Sequence, residues 1–401
     1  MHARRPRLIT LILLSALAVL SMNMFAPAMG AIATSLDVPY GLANLAISGY
    51  LALTAVLQLI IGPLSDRYGR RPVMLVALLL FAIASAAAAL AQHIGLFLLA
   101  RVAQGAIVAG TVLPRAIIRD TSSLQEGASI QGYLSMAMAI APILGPALGG
   151  ALAEHLGWRT NFWLYVVFAV LLLLWCWRDL SETHVQRSAN FKAQLLLYPQ
   201  LFKAAEFWGY ALCIAFSVSA FFMFVSGVPQ VAGQQFGLSQ GDIGLLMGTI
   251  SIGFFFGSFI AGWRAKHHAI TTMMIAGRSI AVLGLGIGCA IAWFHHVSPW
   301  VVFGATVSVG VANGVSFPSS HTGAMSVQPR LAGSAAGLSG ALSMLIGALL
   351  TSLVGVWVQG PQAAQILLSM MLATALMAWA MALWTCAMRR RKPQPGPTVQ
   401  A

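Results

Sequence analysis

Charge is scarce in this sequence. Only 8% of the 401 residues are Asp, Glu, Lys or Arg, about a third of what a soluble chain carries, and that excludes a water-soluble globular domain. Acid is scarcer still, with nine Asp and Glu against 22 Lys and Arg and a net charge of +13. The four cysteines (Cys176, Cys213, Cys289, Cys386) sit in or at the ends of apolar runs without metal spacing. Neither a disulfide framework nor a zinc site is expected. A Gly-rich nucleotide loop with its Lys and a nucleophile elbow are also missing, so the expectation is no enzyme, no metal and no cofactor.

What fills the chain is apolar sequence, 59% of it hydrophobic, with a mean hydropathy of +0.84. Runs of ~20 apolar residues, each able to cross a bilayer as a helix, recur from end to end. Twelve spans can be marked, at about 8–31, 42–64, 72–92, 95–117, 127–152, 161–178, 207–230, 241–263, 270–293, 299–319, 334–357 and 362–386. The expected fold is an all-α membrane protein, twelve transmembrane helices in two pseudo-symmetric six-helix halves around a central cavity. The expected divisions are an N-terminal half over 1–178, a hydrophilic linker over 179–206, a C-terminal half over 207–388 and a basic, Pro-rich tail over 389–401. Arg4, Arg5 and Arg7 before an apolar run, with Ala26-Pro27-Ala28 after it, imitate a signal peptide. The run continues to about Ala33, however, and the repeat needs it as the first span.

That repeat is visible in spaced pairs. Gly62 recurs as Gly262, Pro27 as Pro229, and Gly110-Thr-Val-Leu-Pro114 as Gly314-Val-Ser-Phe-Pro318, all at nearly one offset. All basic residues except Arg101, Arg159 and Arg278 fall on the side of the termini. Lys and Arg are retained next to anionic lipid on the cytoplasmic side, so both termini are expected there. The basic clusters do not interleave with aromatics on one face, which points to membrane lipid and not nucleic acid as the partner.

The densest charge lies in Gly62-Pro63-Leu64-Ser65-Asp66-Arg67-Tyr68-Gly69-Arg70-Arg71-Pro72. One reading is a tight hairpin loop that merely orients the protein; the other is a gating hinge. Gly62 and Gly69 allow close approach and tight turning, and Pro63 and Pro72 are expected to punctuate the helix ends. Asp66 could meet the start of the eleventh span near Gly333-Ser334, where a helix N-terminus favours a carboxylate. Arg70 could pair with Asp120. In the second half Lys266 stands where Asp66 would fall, so the gate is expected to be asymmetric.

This stretch resembles the loop 2–3 signature of the major facilitator superfamily, and Arg101-Val-Ala-Gln104-Gly105 resembles that family's fourth-span motif. Ala141-Pro142-Ile-Leu-Gly145-Pro146-Ala-Leu-Gly149-Gly150 is similar to the fifth-span motif of the drug:proton antiporter branch. Arg115-Ala-Ile-Ile-Arg119-Asp120 and Gly157-Trp158-Arg159 resemble the bicyclomycin-resistance group of multidrug exporters. The resemblance implies secondary active export of small drug-like molecules by alternating access, driven by protons, from a monomer in a bacterial inner membrane. It implies gating roles for Gly62, Asp66, Arg67, Gly69, Arg70, Arg71 and Asp120. It also implies a fifth-span seal at Pro142, Gly145, Pro146, Gly149 and Gly150. The small residues there equally fit plain helix packing.

Candidates for the cavity are Asn23, Arg101, Gln104, Gly105, Phe222 and Asn313. Arg101 lies two turns into its span, where a cation is costly unless paired or hydrated. It either snorkels to the surface or shares a cavity face with Val108 and Arg115 at seven-residue spacing. Gln104 could steady the guanidinium. Arg278 is expected to snorkel. Phe222, with Phe221, Met223 and Phe224, reads as an adaptable apolar wall or as lipid-facing bulk. The bicyclomycin group usually has an Asp where this chain has Asn23, and all nine acids fall in loops or at span ends. Neutral or anionic substrates are therefore favoured over cations, and proton coupling loses its usual carrier. Two alternatives stay open: a metabolite or sugar exporter or facilitator without proton coupling, and a membrane sensor that transports nothing.

Overall fold

A chain segment in lipid has no water to satisfy its backbone, so its apolar runs must close their hydrogen bonds internally. In the computed structural model residues 6–121, 124–183, 201–264, 268–295, 297–328 and 332–391 are described, and among them only helices and turns occur. We number the long helices α1 (Leu8–Ser35), α2 (Tyr40–Tyr68), α3 (Arg70–Leu90), α4 (Ile94–Ile118), α5 (Leu124–Leu156) and α6 (Arg159–Asp179). The second set is α7 (Ala205–Gln235), α8 (Gln240–Arg264), α9 (Ile270–Phe294), α10 (Pro299–Ser326), α11 (Ala332–Trp357) and α12 (Ala363–Arg391). Eleven are long and apolar enough to cross a membrane, and α5, at 33 residues, is the twelfth span. The end at which α1 begins and α12 finishes is here the terminal side, and the opposite end the far side.

Large apolar side chains such as Leu99, Phe259 and Leu283 point outward, as a lipid solvent permits. The interior is closed by small residues instead. Gly149 sits against Met24, where a Cβ would fall 2.6 Å from a backbone carbon, so α1 and α5 touch backbone to backbone. Gly277 brings α9 close to Ala312 and Ser316 of α10, where a Cβ would fall 2.8 Å from the Ala312 carbonyl oxygen. Such approaches replace hydrophobic driving force, which is absent between helices in lipid.

Two helices are interrupted where the sequence weakens them. α1 passes through a 3₁₀ turn at Ala26–Ala28, around Pro27. α4 passes through another at Gly105–Val108. The tighter winding of a 3₁₀ turn shifts register, so Arg101 and Arg115 do not share a face as their spacing predicts. Arg101 is fully buried, while Arg115 is exposed.

The charged stretch 62–72 is not a loop. Helix α2 runs through Pro63 to Tyr68, and α3 starts at Arg70, so the connection is Gly69 alone. Its φ of 101° with ψ of 151° is a backbone conformation available essentially to glycine only. The expected punctuation by proline fails for a simple reason. Pro72 falls in the first turn of α3, where its missing N–H has no helical partner to lose, and Pro63 is carried within α2 at the cost of one backbone hydrogen bond.

Candidate functional site

The corner between α2 and α3 is built around Arg70, which is 1% exposed. Its guanidinium reaches Asp66 at 2.5 Å, Asp120 at 3.2 Å, in the helical turn that continues α4 to Thr121, and the Gly62 carbonyl at 3.4 Å. It also donates to the Ser65 hydroxyl. Asp66 and Arg70 are four residues apart but lie across the Gly69 turn, which folds one back onto the other. The N-terminus of α3 is capped by Glu182 from the segment after α6. Its carboxylate accepts from the Arg70 amide at 2.9 Å and the Arg71 amide at 3.3 Å. Any Cβ on Gly69 would strike that carboxylate. Arg71 donates to the Trp177 carbonyl at 2.9 Å and stacks over its ring, and Arg67 stacks over Tyr68. The predicted contact of Asp66 with Gly333-Ser334 concerns side chains outside the described residues.

Arg101 does not snorkel. Its guanidinium lies 4.1 Å over the Phe25 ring and 4.8 Å over Tyr50, donates to Gln104 Oε1, and reaches the Ser21 carbonyl at 3.4 Å. Gln104 in turn donates to Ser85 at 2.6 Å. Aromatic faces compensate a buried cation electrostatically, so α1, α2, α3 and α4 are tied together inside the first half. Arg101 Nε and Nη2, and Asn23 Oδ1 near the end of α1's first segment, have no hydrogen-bond partner among the described residues. Gly105 packs on Leu53 and Thr54 and so opens the 3₁₀ turn of α4 onto α2.

A cavity of about 170 Å³ lies at mid-depth between the halves. Its walls are Met138 and Pro142 of α5, Val218 and Phe221 of α7, Ile250, Ser251 and Phe254 of α8, and Gly310, Asn313 and Phe317 of α10. Phe221, not Phe222, faces it; Phe222 turns toward Gly347 of α11 and is 3% exposed. Helical rotation of about 100° per residue separates these neighbours, and sequence gave no means to choose between them. Behind Asn313 stands Arg278, which reaches inward and is 2% exposed, against the expectation of snorkelling. It donates to the Ala312 carbonyl at 2.7 Å, to Asn313 Oδ1 at 2.9 Å, and to the hydroxyls of Ser217 and Ser316.

On the far side the halves are joined. Above the cavity α5 and α8 run together, with Ile143 beside Gly248, Pro146 beside Gly244 and Gly150 beside Gln240. Within the expected seal, Gly145 and Gly149 therefore serve α1, Pro146 and Gly150 serve the other half, and Pro142 lines the cavity. At its far end Glu154 accepts from the Gly241 amide at 2.7 Å and from Ser239 at 3.0 Å, capping α8. On the other edge Tyr40 donates to the Ser226 carbonyl at 2.6 Å. Asn44 donates to the Thr351 carbonyl at 2.7 Å and accepts from the Ser226 hydroxyl at 2.6 Å. Sequence reasoning missed this closure. Ser239-Gln-Gly-Asp242 has a capping-box pattern that could have marked the start of α8, but nothing marks Asn44 as its counterpart on the opposite edge.

This arrangement defines a polytopic carrier, two six-helix bundles closing on a central cavity. A family model described as Major Facilitator Superfamily matches residues 11–352, and the chain belongs to that superfamily, a family of transporters and not of enzymes. The chain is 31% identical to the uncharacterized MFS-type transporter YdgK of Bacillus subtilis (strain 168), over 88% of this chain and 90% of that one. It is 33% identical to a chloramphenicol resistance protein of Pseudomonas aeruginosa, over 69% of this chain and 64% of that one. It is 27% identical to multidrug resistance protein D of Escherichia coli (strain K12), over 86% and 87%. Among solved structures, a bacterial homolog of the human lysosomal transporter Spinster, inward-facing and occupied, superimposes with a TM-score of 0.74 at 16% identity, covering 97% of this chain and 98% of that one.

Proposed function

We propose that the chain exports small, neutral or anionic, drug-like compounds by alternating access, as an antiporter driven by the proton gradient. In this reading it works as a monomer in a bacterial inner membrane with both termini in the cytoplasm, and its partners are substrate, protons and lipid. The observation that carries the reading is the cavity, which is mostly apolar and whose described lining includes no carboxylate. Apolar walls with a few polar groups suit adaptable binding of amphipathic molecules. A site backed by Arg278 and without acid disfavours cations. Curated relatives whose names refer to chloramphenicol or multidrug resistance point the same way. Expression in a susceptible bacterium should raise resistance to a neutral antimicrobial, and a protonophore should abolish that gain.

One observation favours a second reading, a metabolite or sugar exporter or facilitator without proton coupling. Asn23 is buried and cannot titrate. Absence of proton flux during transport in proteoliposomes would establish this reading. Asn23→Asp tests the position directly: transport should acquire a new pH dependence and an altered preference for substrate charge. If neither changes, position 23 carries no coupling role.

A further inference from the structure

Arg278 is a buried cation whose described partners are neutral oxygens. Burying a guanidinium at such depth costs several kcal/mol, and an aliphatic residue would pack α9 on α10 at no such expense. Its geometry shows what it adds. The guanidinium has five donors and no acceptor, so the only atom Asn313 can turn toward it is the amide oxygen, held at 2.9 Å. The amide nitrogen is thereby turned away from Arg278. Its one described bond is a long one of 3.4 Å to the Ser217 carbonyl. Gly277 brings α9 against Ala312 and Ser316, which places the guanidinium beside Asn313.

Asn313 is a wall of the cavity. The only other polar side chain in its described lining, Ser251, can donate or accept and does not discriminate. We infer that Arg278 is a positioning residue that makes Asn313 a fixed hydrogen-bond donor toward the cavity. The compounds taken up then carry an acceptor oxygen, such as a nitro, carbonyl or carboxylate group, on an apolar or aromatic body. An ammonium or aryl amine placed there finds no acceptor at Asn313 and loses its hydration without replacement. The inference rests on the export reading above for its substrate class, but not on proton coupling or on direction.

The test compares chloramphenicol with its analogue in which the aryl nitro group is reduced to an amine, using the purified full chain. Binding is read by tryptophan fluorescence and transport in proteoliposomes. The wild type should bind the nitro compound roughly tenfold or more tightly, the range expected for one buried hydrogen-bonding group. Asn313→Asp keeps an oxygen toward Arg278 and so preserves packing, but offers the cavity only acceptors. Its preference should cross over to the amine, through KM and not kcat. Arg278→Gln frees the Asn313 amide to turn either way and should bring the ratio close to one. Arg278→Lys, again donor-only, should restore most of it. An unchanged ratio in both Asn313→Asp and Arg278→Gln overturns the inference, as does a wild type that binds both compounds equally. If the wild type binds selectively yet moves neither compound, the export reading fails while the donor assignment stands.

Discussion

Among the described residues two helix starts are capped by a carboxylate from another segment, α3 by Glu182 and α8 by Glu154. Each neutralises the partial positive charge and the unpaired amides of that end. At α3 the cap depends on Gly69, because both its φ and the space beside Glu182 exclude a side chain. Gly69→Ala should therefore destabilise by about 1–3 kcal/mol, measured as a lower unfolding midpoint of the purified protein. Glu182→Gln keeps the shape, loses the charge and should cost less, about 0.3–1 kcal/mol. Individual roles were only half legible in the sequence. The pairing of Arg70 with Asp120 followed from motif and span ends. The inward turn of Arg278 did not, because it depends on Gly277 meeting a helix that begins some twenty residues later.

Among the elements, α5 does the most varied work. It packs on α1, closes against α8 and opens onto the cavity within four helical turns. Removing the charge of Glu154 should loosen its far end. Glu154→Gln is expected to shift the far-side equilibrium toward open by roughly two- to fivefold, the population equivalent of a helix-terminal charge. Spin labels at Leu156 and Trp300, exposed at the far ends of the two halves, should report a growing long-distance population. An unchanged distance distribution would mean that Glu154 holds nothing shut. The existence of each span was readable because lipid demands long apolar runs. The single-residue corner at Gly69 was not, since a charged, Pro-rich segment reads as a loop unless the caps that keep it helical are seen.

At the scale of the molecule the twelve spans and their halving were apparent from hydropathy and the spaced repeat. The closure between halves was hidden, because Asn44 meets residues 182 and 307 positions away. Weakening both edges at once is informative. The double variant Asn44→Ala with Glu154→Gln should let substrate leak down its gradient in proteoliposomes, whereas either single change should raise that leak little. Each lost hydrogen bond contributes about 0.5–1.5 kcal/mol, so the pair approaches the energy of the resting bias itself.

The far-side closure also sets what the empty carrier can hear. Tyr40, Asn44 and Glu154 together hold it with about 3 kcal/mol, leaving the far opening populated on the order of 1% of the time. A compound arriving from that side meets a binding-competent form only in that fraction, and its apparent affinity falls by roughly a hundredfold. The cavity is thus a poor receptor from the far side as long as these contacts hold. Molecules on the far side therefore compete weakly for the empty carrier, and the direction of net flux is set by the driving gradient and not by this bias.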